Sequence, residues 1–192
     1  MKILVFAGSA RRESFNKRLI GIAAAELQQL GADVTEFDFG THPMPLYDGD
    51  LETQSGLPEN AQRFKNALMA HDGFVIASPE YNSGYSPLLK NAIDWASRAT
   101  QTDEAPLSAY RGKAAALLAT SPGGLGGLRG LVPLRMLLSN IGVNVLPRQL
   151  AIPTAHEIFA TAESFAASQY QQELTDLCAD FAAFARRLVL ST

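Results

Sequence analysis

The chain is poor in cysteine, in any dominant sign of charge and in long apolar runs. Cys178 is its single cysteine, which excludes an intramolecular disulfide or a thiolate metal cluster built from one chain and suits a reducing compartment. Sixteen Lys and Arg stand against 19 Asp and Glu, a net charge of −3. Phosphate neutralisation needs clustered basic residues, so nucleic-acid binding is not expected. No apolar run approaches the ~20 residues of a membrane span, so no membrane association is expected. The apolar start, Ile3 to Ala7, is shorter than a secretory core segment, and Arg11-Arg12 follows it, the reverse of the order in a twin-arginine signal. The expected location is the cytoplasm. His42, His71 and His156 lie far apart without metal-ligand spacing, and no metal site is expected. The Walker A ending, the G-x-G-x-x-G turn and the G-x-S-x-G elbow are all missing. A nucleoside triphosphate site, a Rossmann dinucleotide site and a serine hydrolase therefore lack their mechanical parts.

What is present is an ordinary globular composition, 47% hydrophobic and 18% charged over 192 residues, and one domain covering 1–192 is expected. Short apolar runs that end at glycine, proline or serine predict buried strands at 2–7, 74–78 and 114–120, a more solvated one at 33–39, and a fifth at 143–146 that reaches toward 152. Helical spacing of apolar residues predicts helices over 15–30, 59–71, 88–98, 128–141 and 162–190. The segment 40–58 has prolines, glycines and acids without periodicity and reads as a long surface loop, a length often associated with function. Alternation of five strands with helices implies a parallel sheet with right-handed crossovers, of order 2-1-3-4-5. Cys178 falls on the apolar face of the last helix and reads as a small buried hydrophobe, and Trp95 as core or interface.

Three polar loops follow directly on predicted strands, and in a parallel sheet all three emerge at the carboxyl edge. The first, Gly8-Ser9-Ala10-Arg11-Arg12-Glu13-Ser14-Phe15-Asn16, runs straight into a helix. A phosphate there meets free N–H groups and the positive end of the helix dipole, with hydroxyls, an amide and the Arg11 guanidinium nearby. The bland alternative is that Ser14 caps the helix and the arginines are solvated. The second, Pro79-Glu80-Tyr81-Asn82-Ser83-Gly84-Tyr85-Ser86, offers aromatic rings and close backbone approach for a flat ligand. The third, Ser121-Pro122-Gly123-Gly124-Leu125-Gly126-Gly127, directs N–H donors toward negative charge on a bound ring. The second or third alone reads as a flexible connection; the three together point to one bound cofactor.

Gly8-Ser9-x-Arg11-x-x-Ser14-x-Asn16, Pro79-Glu80-Tyr81-Asn82 followed by Leu89-Lys90-Asn91-Ala92-Ile93-Asp94-Trp95, and Ser121-Pro122-Gly123-Gly124 together resemble the NADPH-dependent FMN reductase family. Pro45-Leu46-Tyr47-Asp48 is similar to its pattern as well. The resemblance spans roughly residues 2–150. It implies a flavodoxin-like three-layer α/β sandwich and an FMN-dependent oxidoreductase. NADPH or NADH is the expected donor, and a small acceptor such as a quinone, free flavin, azo compound or chromate takes the electrons by a ping-pong mechanism. Ser9, Arg11, Ser14, Phe15 and Asn16 are implied at the FMN phosphate. Pro79, Glu80, Tyr81 and Asn82 are implied at the isoalloxazine and ribityl chain, with Ser121, Gly123 and Gly124 near the other edge. No side chain is assigned as catalytic acid or base, since the cofactor carries the chemistry. A homodimer or homotetramer is implied too. The rival reading is a flavodoxin-type electron carrier without NADPH oxidation of its own, for which −3 is a modest docking charge; a domain of the same fold that binds no FMN ranks behind both.

Overall fold

The computed structural model describes residues 1–190. Five parallel strands form the central sheet: β1 (Lys2–Ala7), β2 (Asp33–Phe37), β3 (Gly73–Ala77), β6 (Ala114–Thr120) and β7 (Asn144–Ile152). Their order is β2-β1-β3-β6-β7, which among the sheet strands is the expected 2-1-3-4-5 of a flavodoxin-like fold. The three central strands are buried almost throughout, as parallel strands covered on both faces must be. α1 (Phe15–Gln29) and α8 (Gln169–Val189) cover one face, packing Leu19, Ile20, Leu27, Leu174 and Phe181 against Ile3, Val5 and Val75. On the other face lie α3 (Glu59–Ala70), α4 (Pro87–Ala96) and α5 (Leu128–Asn140), with Phe64, Leu89, Ile93, Leu131 and Leu134 against Leu4, Phe6 and Leu117.

Four elements depart from the sequence reading. The loop at 40–58 contains α2 (Gly49–Ser55), which buries no residue and is held by the Asp48 carboxylate accepting from Asp50 N (2.8 Å). The second polar loop is a tight hairpin, β4 (Glu80–Tyr81) and β5 (Gly84–Tyr85), turning through Asn82 and Ser83 at φ +51° and +67°. Positive φ at both central positions is what a two-residue hairpin turn requires. The long terminal helix is broken: α6 (Ala155–Ile158) and α7 (Ala162–Ala166) precede α8, and the Ser168 hydroxyl bonds back to Phe165 O (2.7 Å) at the break. Finally, β7 runs through to Ile152, but its register against β6 jumps between Ala115 and Leu117. Pro147 lies in that bulge, and Arg135 donates to the freed carbonyls of Leu146 (2.8 Å) and Pro147 (3.2 Å), so the irregularity leaves those acceptors satisfied. Trp95 and Cys178 are both fully buried.

Candidate functional site

The three loops meet. Ser9, Arg11, Ser14, Phe15 and Asn16 share one cleft of ≈ 120 Å³ with Pro79, Glu80, Tyr81, Thr120, Ser121 and Pro122. Ser14 is the N-cap of α1 and accepts from Lys17 N (3.4 Å), and Arg18 N reaches Ser14 O (3.2 Å). Those bonds occupy the third and fourth amides of the helix. The N–H groups of Phe15 and Asn16, first in the helix, have no acceptor among the described residues. Such unpaired first-turn donors are the ordinary anion site of a helix start. Arg11 gives one N–H to Glu13 O (3.3 Å) and is otherwise exposed at the cleft. Ser9 Oγ accepts from Arg11 N (3.3 Å), which folds the loop back on itself. Two amides, a guanidinium and two hydroxyls make a donor set suited to a phosphate monoester, so the residues present fit the phosphate end of FMN.

Two residues expected at the cofactor, Asn16 and Glu80, have their side chains engaged within the chain. The Asn16 amide is spent on the third loop: Nδ2 donates to Thr120 O (3.0 Å), and Thr120 N donates to Oδ1 (3.1 Å). Only its backbone N–H is left for a ligand. The Glu80 carboxylate turns onto the start of α5, accepting from Arg129 N (3.1 Å), Arg129 Nε (2.9 Å) and Gly130 N (3.3 Å). A carboxylate thus sits at the positive end of α5, just beyond the glycine run. Among the described residues, the amides of Gly123, Gly124, Leu125 and Gly127 have no acceptor in that loop. Asn82, Gly123 and Gly124 fall outside the cleft lining, Asn82 because it forms the hairpin turn.

Thr120 and Pro122 also line the cleft, beyond the residues the resemblance implies at the cofactor. Thr120 was visible as the one polar residue closing an otherwise apolar strand; it is buried and also donates through Oγ1 to Ile152 O (2.9 Å). Ser86, at the foot of the hairpin, donates to Gly8 O (2.6 Å) and caps α4 by accepting from Leu89 N (3.1 Å). Gly126 allows the third loop to close, since a Cβ there would sit 2.5 Å from the Ile152 carbonyl carbon at φ +61°. Tyr81 stands half-exposed on the hairpin at the rim. Among the described residues no group of His, Cys, Asp and Glu is arranged to hold a metal ion, and no helix is long and apolar enough to cross a membrane.

The comparisons with known proteins agree with this geometry. Residues 1–157 match the family model described as NADPH-dependent FMN reductase. A 2-hydroxy-1,4-benzoquinone reductase of Burkholderia sp is 41% identical over 127 residues, 66% of this chain and 63% of that protein. The match thus spans less than two thirds of that relative's length. A probable NADPH:quinone oxidoreductase 2 of Oryza sativa subsp. japonica is 31% identical over 192 residues, covering 98% of this chain and 90% of the relative. Among solved structures, FerB from Paracoccus denitrificans, a flavoenzyme NAD(P)H:(acceptor) oxidoreductase, superposes with a TM-score of 0.75 at 27% identity, covering 94% of this chain and 96% of that one. With the matched segment holding all three loops, the chain belongs to the NADPH-dependent FMN reductase family of oxidoreductases.

Proposed function

We propose that the chain, working as one domain, is an FMN-dependent NAD(P)H:acceptor oxidoreductase. It takes quinones as its preferred acceptors, ahead of free flavin, azo compounds or chromate, and cycles by a ping-pong mechanism. The net reaction is NAD(P)H plus a proton plus a quinone giving NAD(P)⁺ and the hydroquinone. The observation that carries this reading is the shared cleft, where the unpaired amides that open α1, the Arg11 guanidinium and the half-exposed Tyr81 come together. FMN, when bound, supplies the two-electron chemistry between donor and acceptor.

The chain's own residues contribute position and polarity. Arg11 and the Phe15 and Asn16 amides would oppose the charge of a phosphate dianion in the cleft. Amides of Gly123, Gly124 and Leu125 offer neutral donors at the third loop, the kind of fixed dipole that favours developing negative charge without reorganisation. Tyr81, held on a two-residue hairpin, gives the rim an aromatic wall that an incoming flat ring can lie against. Two of the similar proteins are a 2-hydroxy-1,4-benzoquinone reductase and a probable NADPH:quinone oxidoreductase, which supports that acceptor class. The cytoplasm is the proposed compartment, to which the single buried cysteine is suited. A homodimer or homotetramer is proposed because Leu128, Val132 and Met136, spaced four apart on α5, expose an apolar row.

The test is direct. The purified protein should retain FMN, show a flavin absorption band that bleaches under anaerobic NADPH, and recover it on adding benzoquinone. Arg11→Ala should weaken FMN binding by roughly 10- to 100-fold, the range for a lost hydrogen bond to a charged group. A protein that takes up no FMN, or a bound flavin that NAD(P)H does not reduce, would refute the assignment. Light scattering reads the oligomer.

A further inference from the structure

A second recess lies on the other side of the first loop. It encloses ≈ 270 Å³ and is walled by Phe39, Met44, Leu46, Pro87, Leu88 and Ala92, with Ala10 at one end and His42, Pro43 and Asn91 completing it. No Asp, Glu, Lys or Arg lines it. The wall formed by residues 43–47 is fixed in place. Asn60 Nδ2 donates to Pro43 O (2.9 Å), Trp95 Nε1 and Asn91 Nδ2 both donate to Pro45 O (2.9 and 2.8 Å), and Tyr47 N donates to Asn91 Oδ1 (2.7 Å). Asn91, the polar residue best placed to select a hydrogen-bonding ligand, has both ends of its amide committed to that wall. The recess therefore offers shape and apolar surface, with little to recognise a polar ligand.

Its position decides what it is for. Ala10 lines the recess while its two chain neighbours, Ser9 and Arg11, line the cofactor cleft. Consecutive Cα atoms are about 3.8 Å apart, so one strand of backbone separates the two. Ser86 ties the same loop, through Gly8 O, to the start of α4, where Pro87 and Leu88 form the recess wall. Pro87 and Leu88 also follow directly on the hairpin that carries Tyr81 at the rim, so the recess adjoins the end of the cleft where a flat ring is proposed to lie.

We propose that this recess is an acceptor subsite that takes the alkyl or prenyl substituent of a quinone, making side-chain-bearing quinones the preferred substrate class. The proposal rests on the quinone-reductase reading above and names the part of the molecule that reading leaves open. Burial of each methylene is worth about 0.8 kcal/mol, close to fourfold in an equilibrium or specificity constant. Across 1,4-benzoquinone and its 2-methyl, 2-propyl and 2-pentyl derivatives, kcat/KM should rise about fourfold per carbon through the first carbons and level off as the recess fills. The gain should appear in KM, with kcat little changed.

Leu88→Asp places a carboxylate in the recess in the first turn of α4, where an acidic residue is compatible with the helix dipole. Leu46→Asp does so from a position that is 78% exposed and carries little of the fold. Both variants should keep the wild-type rate with unsubstituted benzoquinone and lose most of the chain-length dependence. Calorimetric titration with phenol and 4-pentylphenol supplies a readout independent of turnover. Wild type should bind the pentyl compound far more tightly, and the variants should not discriminate. A flat series in wild type, or a slope that survives in both variants, overturns the proposal. So does conversion of an oligomer to monomers by these substitutions with the slope intact, which would assign the recess to a subunit contact. If no quinone were turned over at all, the reductase reading would fall, and the calorimetric comparison alone would decide for or against the recess.

Discussion

Lys65 is the residue least in keeping with a solvated helix face, and it supports a prediction whose size follows from the structure. It lies on α3, 1% exposed, and its ammonium meets the Glu104 carboxylate, itself 12% exposed, as well as the Arg98 carbonyl. Burial works against the charge on Glu104. Hydrogen bonds from Lys65, from the Ser108 hydroxyl and from the Thr100 amide and hydroxyl outweigh it and bring the pKa from 4.5 down to about 2. At about 1.4 kcal/mol per pKa unit, that drop stores ~3 kcal/mol of folding stability. The folded-state pKa is depressed, so this stability is fully present above the unfolded value near 4.5 and is lost as pH falls toward 2. At pH 7, Glu104→Gln leaves a buried ammonium without its counter-charge and should cost about 3–5 kcal/mol. The double variant Lys65→Met, Glu104→Gln replaces the pair with uncharged groups and should recover most of it. Urea denaturation at pH 7, 5, 4 and 3 checks this, comparing wild type with the double variant to cancel the other carboxylates. Wild type should lose the extra stability between pH 4.5 and 2 and the double variant should not. A cost below ~1 kcal/mol for Glu104→Gln, or parallel acid slopes, would show that the pair does not clamp α3, the end of α4 and the segment leading to β6.

Three further outcomes are expected. Ser83 holds φ +67° in the hairpin turn, so Ser83→Gly should relieve strain and stabilise the protein by ~0.5–1 kcal/mol, raising the thermal midpoint by about 1–4 °C; a lowered midpoint would count against the turn geometry. Burial, with a smaller contribution from the Glu26 charge, pushes the Cys178 thiol up to about 12. It should stay unmodified by Ellman's reagent at pH 8 in the native protein and react fully in denaturant, and rapid native labelling would contradict its placement. Gly126→Ala forces a Cβ to within 2.5 Å of the Ile152 backbone at positive φ and should cost ~2 kcal/mol or more together with FMN retention, read by thermal melting and by the 450 nm band of the purified protein.

The sheet was legible because its central strands are short, β-branched or alanine-rich runs with apolar residues on both faces, and a glycine or proline follows each within two residues. The meeting of the three loops followed from parallel topology alone. Elsewhere the sequence carried no periodicity to read. α2 buries nothing, so its only signal was the Asp48 cap and the Gly56 stop. β4 and β5 have two residues each, too few for an alternation, and their turn uses Asn-Ser where Asn-Gly would have announced it. Lys65 occupies a position whose polar identity argues for solvent, and its partner Glu104 lies in a segment without regular pattern. The same holds for Glu80 and Asn16, whose side chains were read as ligands because they stand in ligand loops. Their partners lie 49 and 104 residues away, a relation that a local motif does not contain.

Those long-range bonds explain why loops so rich in glycine can form a site at all. Glycine loops lose the most conformational freedom on ordering, and a cleft whose walls wander would have to recover that freedom from the ligand's binding energy. Here each pair of loops is joined. Ser86 binds the first to the second through Gly8 O, Asn16 binds the first to the third through both main-chain atoms of Thr120, and Glu80 binds the second to the third through the start of α5. The three links close a triangle around the cleft, and each is anchored at the end of a strand or the first turn of a helix. Displacing one wall must therefore break a bond to both others. Residues that look like ligands from the sequence are then more valuable as fasteners. They fix where the remaining free donors stand, and on the proposed reading the phosphate is left to Arg11 and to amides that any side chain could present. In this chain the spacing of Asn16, Glu80 and Ser86 encodes the frame of the site at least as much as its contacts.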